Sequence, residues 1–410
     1  MILGRTAAVA LLVAPLLLTP APARAADCAT AGQVTGTAAW PRQMLAVDSV
    51  SQFTRGGNVV VAVLSTGVQA SHRQLAGRVL AGRDADAGRG TADTDCLGTG
   101  TQVAGVIAAS PEEGSPVAGV AGRATILPVR VAPSTPGDEP SAAGLARGVE
   151  FAVQNGAQVI VVASAVYQDS DRLRSAVAAA VATGVPVVAA VGDLGSAQDR
   201  NPVPYPASYP DVIGVGAIDQ SGRIYDRSQH GRYVDLVAPG VAVPTLQGGD
   251  AGPRGLVESD GTALAAGYVG GTVALIRSRL GRMPVAEVTR VLKASASPAV
   301  DGDAFGAGVV NPYAAVTGKA ATGKGRALPG LTAPPAAPGS AESRRRMVAF
   351  TGATIAGMAV VAVLLVTAAI RRSRRQHWRP TTAPPLPEYD EPVEPGPPVM
   401  LLDPPPGGAR

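Results

Sequence analysis

The chain has 410 residues, of which 46% are hydrophobic, and it carries a formal net charge of +4. This length and apolar content fit one large core plus further segments for targeting and anchoring. The positive charge does not indicate a nucleic-acid partner, because residues 26–343 carry 24 Lys and Arg against 26 Asp and Glu, a net charge of −2. We therefore exclude nucleic-acid binding and assign the excess of basic residues to membrane topology.

The amino end has the pattern of a secretory signal peptide. A charged start, MILGR, is followed by an apolar run over residues 6–19 and by the small-residue site Ala-Arg-Ala at 23–25. We predict that residues 1–25 are removed. The exported chain then holds two cysteines, Cys28 and Cys96, and because oxidising compartments favour pairing we predict a disulfide between them.

Residues 26–57 form a predicted amino-terminal extension. Its apolar residues are spaced as an anchoring face, which consists of Trp40, Met44, Leu45, Val50 and Phe53. We therefore expect the extension to pack on the domain that follows.

Residues 58–316 have the pattern of one α/β domain. Continuous apolar, β-branched runs predict buried strands at 58–64, 124–131, 158–163, 185–191 and 212–217, with a further strand ending at 239–240. Helices are predicted at 101–109, 141–154, 171–183, 262–280 and 285–294. Alternating strands and helices predict a parallel sheet with helices on both faces, in which sites form at the carboxyl ends of the strands.

Three segments follow the domain. Residues 317–346 are rich in Gly, Pro and Ala and are predicted to be a linker. Residues 347–370 carry no charge and are long enough to cross a hydrocarbon core of about 30 Å. More arginines follow this run than precede it, which predicts a single-pass helix in the cell membrane, with the domain extracytoplasmic and the Pro-rich tail 371–410 cytoplasmic.

Four short motifs in the domain resemble those of the subtilisin-like (S8) serine proteases. They read VAVLSTGV at 61–68, GTGTQVAG at 98–105, AVGD at 190–193 and GTALAAGYVGG at 261–271. Within that family, the FTRGGNVVVAVLSTGV entry, the early cysteine pair, the GAGVVNPYAAV close and the single carboxyl-terminal span resemble the mycosin branch, membrane-anchored proteases associated with type VII secretion. The resemblance implies a subtilisin-like α/β fold.

The resemblance also implies a catalytic Asp, His and Ser and an oxyanion Asn, one in each motif. This chain has other residues at the four positions, namely Ser65 for Asp, Thr99 for His, Asp193 for Asn and Ala263 for Ser. The motif proline is also replaced, by Gly267. Misalignment would have to occur independently in four well-framed motifs, so we reject it.

These replacements remove the chemistry of a serine peptidase. The nucleophile needs an Oγ, a neutral imidazole to take its proton and a carboxylate to orient that imidazole, and Ala263, Thr99 and Ser65 supply none of these. Asp193 places a carboxylate where a donor amide should meet developing negative charge. Losing an oxyanion donor costs about 10²–10³ in rate in this family, and losing the nucleophile or base costs about 10⁶.

Other residues are weak candidates for catalysis or metal binding. The histidines are His72, His230 and His377. None has a motif relation to a serine, and no two share helical spacing, so we interpret them as structural, surface or tail residues. The acid pairs Asp84/Asp86 and Asp93/Asp95 are interpreted as solvated loop acids. We therefore expect neither a metal nor another cofactor.

Three functions remain in view. The favoured one is a membrane-anchored, mycosin-like pseudoprotease that acts as a structural or peptide-binding component of a type VII secretion system, with secretion membrane components or exported peptides as partners. The first alternative is a serine endopeptidase that processes exported substrates, which requires an intact triad. The second is a decoy or inhibitory partner of an active mycosin, which an intact mycosin gene beside this one would favour.

Overall fold

A computed structural model of the chain describes residues 28–34, 40–133, 140–196, 198, 200–299, 302–318 and 340–375. The predicted signal peptide, most of the predicted linker and the tail beyond residue 375 lie outside the described residues. The chain divides into two units, Met1–Arg326 and Ala327–Arg410.

The first unit contains a seven-stranded parallel sheet in the order β2-β3-β1-β4-β5-β6-β7. The strands are β1 Val60–Ser65, β2 Arg83–Asp84, β3 Thr125–Arg130, β4 Val159–Val162, β5 Val187–Ala190, β6 Ile213–Ile218 and β7 Leu236–Pro239. A separate antiparallel pair consists of β8 Val243–Leu246 and β9 Leu256–Ser259. The central β1 lies between β3 and β4, with Val61 opposite Ile126 on one side and Val159 on the other.

Helices cover both faces of the sheet. They are α1 Trp40–Met44, α2 Val47–Val50, α3 Thr99–Ala108, α4 Ala142–Gln154, α5 Asp171–Ala182, α6 Thr262–Leu280, α7 Val285–Ser295 and α8 Pro312–Thr317. Successive β1 side chains enter opposite cores, since Val61 and Val63 lie in the core with α3 and α6, and Ala62 and Leu64 lie in the core with α4 and α5. The predicted α/β class, with helices on both faces, is confirmed.

Helix α6 is the main helix of one core, with fifteen of its nineteen residues buried. Its glycines permit close packing, because a Cβ on Gly270 would lie 2.2 Å from Val161 of β4, and one on Gly267 would lie 2.5 Å from Val106 of α3. The predicted helix bounds match the structure. Glu258, which precedes α6 by four residues, lies in β9 and not in the helix.

The amino-terminal extension packs on the domain, as predicted. Leu45 and Val50 are buried in the main core, whereas Met44 and Phe53 are partly exposed, with the Phe53 ring packed edge-on against Tyr313 at 5.8 Å between centroids. Cys28 and Cys96 form the predicted disulfide. Beside it, the N–H of Ala29 donates to the carbonyl of Cys96 at 2.8 Å, so this part of the extension lies close to the start of α3.

The second unit contains one described helix, α9, at Ser340–Arg375. Within it, Ala356–Arg374 is long and apolar enough to cross a membrane by length and composition. This stretch overlaps the predicted span at 347–370.

Candidate functional site

The four positions singled out by the sequence all lie where strands end or helices begin. Ser65 is the last residue of β1, and Thr99 is the first residue of α3. Asp193 follows β5 by three residues, and Ala263 is the second residue of α6. Since parallel strands end at one edge of a sheet, this edge is the predicted location of a site.

Ser65 lies at the end of β1, fully buried, and contacts the first turn of α3. Its Oγ has no hydrogen-bond partner in the described part of the chain. A Cβ added to Gly100 would lie 3.2 Å from the Ser65 Cβ and 1.8 Å from the carbonyl oxygen of Gly67. Only glycine fits this close approach of Ser65 to position 100, one residue after the half-buried Thr99 that begins α3.

A buried carboxylate, Asp95, organises the start of α3. One of its oxygens accepts from the Thr66 hydroxyl at 2.7 Å and from the N–H of Gly98 at 2.9 Å. The other accepts from the N–H and the hydroxyl of Thr101, at 2.8 and 2.7 Å. Asp95 therefore caps the helix, because it satisfies N–H groups that have no partner within the helix.

Two of the acids interpreted as solvated loop residues are neither solvated nor free, so that interpretation was wrong for them. Asp95 is only 1% exposed. Asp84 forms an ion pair with Arg130 at 2.9 Å, and both side chains are largely buried. Burial of a carboxylate is possible here because each one receives hydrogen bonds or a counter-charge.

Gln102 on α3 connects the start of that helix to the strand pair before α6. Its amide donates to the side chain of Gln247 at 2.8 Å, and its side-chain oxygen accepts from the Ser259 hydroxyl at 2.9 Å. Thr245 donates to the Gln102 carbonyl at 2.7 Å. The helix that begins at Thr99 and the segment that leads to Ala263 are thus fastened together.

Asp193 lies against the first turn of α6. Its Oδ1 accepts from the backbone N–H of Thr262 at 2.9 Å, and the N–H of Gly192 donates to the Thr262 hydroxyl at 3.1 Å. A Cβ on Gly261 would lie 3.2 Å from the second carboxylate oxygen. The structure therefore places Asp193 and Ala263 side by side at one helix terminus.

Burial raises the pKa of Asp193 above its ordinary value, although hydrogen bonds from Thr262 and the charge of Arg227 act in the opposite direction. The positive end of the α6 dipole also favours an anion at this place. The Asp193 carboxylate can accept a hydrogen bond from a donor group. It cannot donate to developing negative charge in its ionised form.

The two histidines in the described residues, His72 and His230, form no described hydrogen bond with the four site positions. His72 is fully buried, with Nε2 2.9 Å from the carbonyl oxygen of Gly255 and Nδ1 accepting from the N–H of Gln74. Burial lowers the pKa of His72, so its neutral form is favoured. His230 is exposed and bonds Asn201 through its backbone, and His377 lies outside the described residues.

No group of three His, Cys, Asp or Glu side chains with a geometry for a metal ion occurs in the described ranges. Sequence reasoning missed three residues that shape the site edge: Thr66, Asp95 and Gln102. For Asp95 a local signal was available, since Asp side chains commonly accept from backbone N–H groups a few residues further on, as Asp95 does from Gly98. The partners of Gln102 lie more than 140 residues away in the chain, and no local pattern indicates them.

Comparison with known proteins gives the family. The model of the subtilase family (Peptidase S8) matches residues 56–315. Subtilisin DY of Bacillus licheniformis is 35% identical over 266 residues, covering 65% of this chain and 93% of that protein. Mycosin-4 of Mycobacterium tuberculosis (strain ATCC 25618 / H37Rv) is 34% identical over 380 residues, covering 82% of this chain and 83% of the relative.

Solved structures agree with these relatives. The MycP3 protease, described as from the type VII (ESX-3) secretion system, superposes with a TM-score of 0.61 at 30% identity, covering 71% of this chain and 92% of the other. An identity of 30% over 92% of the MycP3 chain indicates that the two domains are homologous. The chain therefore belongs to the subtilase family, in its mycosin branch.

Proposed function

We propose that this chain is a membrane-anchored pseudoprotease that serves as a structural or peptide-binding component of a type VII secretion system. The observation that carries the proposal is the arrangement at the start of α6. There the Asp193 carboxylate accepts from Thr262 beside the methyl side chain of Ala263. In the active members that the motifs resemble, this place holds a nucleophilic Ser and a donor Asn.

The surrounding positions support the same conclusion. Ser65 is sealed at the end of β1, and Thr99 has no imidazole. A hydroxyl without a general base is a poor nucleophile, and a carboxylate repels an oxyanion. The backbone turns that framed the former machinery persist, because Gly100, Gly261 and Thr262 still make close contacts. We propose that such a scaffold binds a peptide without hydrolysing it.

The cellular role rests on the relatives and on α9. MycP3 is described as a protease from the type VII (ESX-3) secretion system, and α9 contains a stretch long and apolar enough to span a membrane. We propose a single pass with the subtilase domain outside the cytoplasm, preceded by a signal peptide at 1–25 and followed by a cytoplasmic tail. The domain boundaries given from the sequence, 58–316 for the subtilase part among them, belong to this proposal.

Covalent labelling tests the loss of catalysis. The full chain in a neutral detergent is treated with a fluorophosphonate probe, beside an active subtilisin as the positive control and the Ala263→Ser variant as a matched control. We expect no labelling of the wild type and no fold-dependent labelling of the variant, because Thr99 cannot accept the proton. Labelling of the wild type that maps to the site edge and disappears on denaturation would overturn the proposal that the chain is a pseudoprotease.

Affinity purification from membranes tests the partner. The full chain and a form lacking residues 26–343 are each expressed with a carboxyl-terminal tag. Retention of type VII membrane components by the full chain alone is the expected result. Equal recovery with both forms would show that the subtilase domain is not the binding element.

A further inference from the structure

A cavity of about 390 Å³ lies between the extension helices and the loops that flank α3 and β3. Its charged lining consists of Arg42, Arg55, Arg78, Arg123 and Asp48. Arg55 and Arg123 precede β1 and β3, so this cavity lies at the amino ends of these strands, at the opposite edge from Ser65. Residues 40–55 precede the part matched by the subtilase model, so the cavity is partly built by the extension.

The one acid in this lining is already neutralised. The Nε of Arg42 donates to both carboxylate oxygens of Asp48, at 3.0 and 3.1 Å, and its Nη2 donates to Oδ1 at 2.5 Å. Three guanidinium groups remain. Glu112, close in sequence to the lining, pairs instead with Arg73 and Arg254.

Arg78 is held in the wall by neutral acceptors. It donates to the carbonyl of Gln74 at 2.8 Å, to the Ser110 hydroxyl at 2.6 Å and to the carbonyl of Gly122. These bonds fix its direction but bring no negative charge. Burial accordingly lowers the pKa of Arg78. A half-buried cation without a counter-charge is costly unless an anion joins it.

Arg55 and Arg123 lie next to each other at the open side. The N–H of Arg123 donates to the carbonyl of Arg55 at 2.8 Å, which fixes the two backbones together. Both side chains are exposed, and within the described residues neither forms an ion pair. Three arginines without a described counter-charge thus line one volume of a size suited to a small ligand.

We propose that this cavity binds a phosphate group, carried by a phospholipid headgroup or by a free phosphate. Guanidinium groups match phosphate oxygens in pairs, and a tetrahedral anion can meet three of them from different sides. The Ser110 hydroxyl accepts from Arg78 and keeps its own proton for a further oxygen. A carboxylate has fewer oxygens and a single charge, and it would leave part of the lining uncompensated.

Calorimetric titration of the full chain in an uncharged detergent tests the proposal. The probes are inorganic phosphate, pyrophosphate, and dihexanoyl phosphatidylglycerol below its micellar concentration, with dihexanoyl phosphatidylcholine as the zwitterionic comparison. Arg55→Gln, Arg123→Gln and the double variant remove exposed charges only. The matched control is Arg89→Gln, an exposed arginine outside the lining.

We expect saturable binding that weakens by about threefold in each single variant and roughly tenfold in the double variant, with Arg89→Gln unchanged. Binding of phosphate or pyrophosphate identifies a free phosphate as sufficient, and binding of phosphatidylglycerol alone identifies a headgroup. The proposal is overturned if no probe binds, or if Arg89→Gln weakens binding as much as the lining variants. Unchanged melting temperatures establish that the variants are folded.

Discussion

Asp193 and Thr262 are 69 positions apart in the chain, yet the carboxylate of one caps the helix that begins at the other, at 2.9 Å. The residue immediately before α6 is Gly261, which has no side chain to cap it. Asp193 therefore supplies from the end of β5 what a local Ser or Asp supplies in other helices. This contact connects Asp193, which aligns with the oxyanion position of the family motif, with the stability of the fold.

Replacing Asp193 by Asn should change how stability depends on pH. Because burial raises the pKa of Asp193 above its ordinary 3.8, the folded state holds the proton more tightly than the unfolded state. Stability from this group is therefore present at low pH and lost as pH rises through the raised pKa. We expect the melting temperature of Asp193→Asn to rise relative to that of the wild type as pH increases above the ordinary carboxyl pKa of 3.8.

Asp219→Asn is the matched control for this experiment. Partial burial raises the pKa of Asp219, but hydrogen bonds from the backbone and side chain of Arg223 outweigh that effect and leave the pKa lowered. The wild type should therefore lose its advantage over this variant as pH falls, which is the opposite sign. If calorimetry shows that the difference in melting temperature between Asp193→Asn and the wild type does not change with pH, the raised pKa of Asp193 is contradicted.

Removing Asp95 should destabilise the domain strongly. The Asp95→Ala variant leaves the N–H groups of Gly98 and Thr101 and two hydroxyls without their acceptor. We expect a loss of about 3 kcal/mol in the free energy of unfolding. Denaturant unfolding measures it, with Asp93→Ala as control, since Asp93 accepts a side-chain bond from Thr91 at a more exposed place. Equal losses for both variants would refute the capping role.

Breaking the disulfide should also cost stability. Cys28 and Cys96 close a loop with a sequence separation of 68 residues. In the chain-entropy description, such a loop contributes on the order of 4 kcal/mol, which the Cys28→Ser, Cys96→Ser double variant should lose. Denaturant unfolding in non-reducing buffer measures the difference. An unchanged midpoint would mean that the unfolded chain is not restrained by the bond.

Restoring the four motif residues should not restore a protease. The variant combines Ser65→Asp, Thr99→His, Asp193→Asn and Ala263→Ser. Ser65 is fully buried with an Oγ that finds no described partner, so an aspartate there introduces a charge into a dry site. We expect a melting temperature that is lower or unchanged and peptidase activity at least about 10²-fold below an active relative.

The packing of α6 at Gly267 is a second reason to expect low activity from the fourfold variant. Gly267 stands where the family motif has proline, and a Cβ there would meet Val106 at 2.5 Å. The packing of α6 against α3 therefore leaves no room for a larger residue at position 267. Cleavage of a peptide by the fourfold variant at a rate near that of subtilisin would contradict this expectation, and would show that the packing at Gly267 does not limit activity.

The sequence predicted the main sheet and its large helices because long apolar runs and helical spacing are local signals. Strand β1 was placed within two residues, and α6 at its exact bounds. The short strands β2, β8 and β9 were not predicted, since strands of two to four residues carry little periodicity. Helix α3 begins at Thr99, two residues earlier than expected, because Asp95 caps it from outside the helix.

The site was predictable only in part. Motif framing located Ser65, Thr99, Asp193 and Ala263, and the structure brings Ser65 next to the start of α3 and Asp193 next to Ala263. The contacts of Asp95 and Gln102 depend on tertiary packing. The disulfide followed from the cysteine count, whereas the arginine-lined cavity follows from the docking of the extension, which no local pattern specifies.

The bond between Cys28 and Cys96 has a consequence for proteolysis as well. A protease that cuts the chain once between these residues produces two polypeptides that remain joined through sulfur. The central strand β1 lies inside this closed segment, between β3 and β4. A molecule cut once in this segment therefore migrates as one species on a gel until the disulfide is reduced. Strand β1 also stays covalently linked to the rest of the sheet.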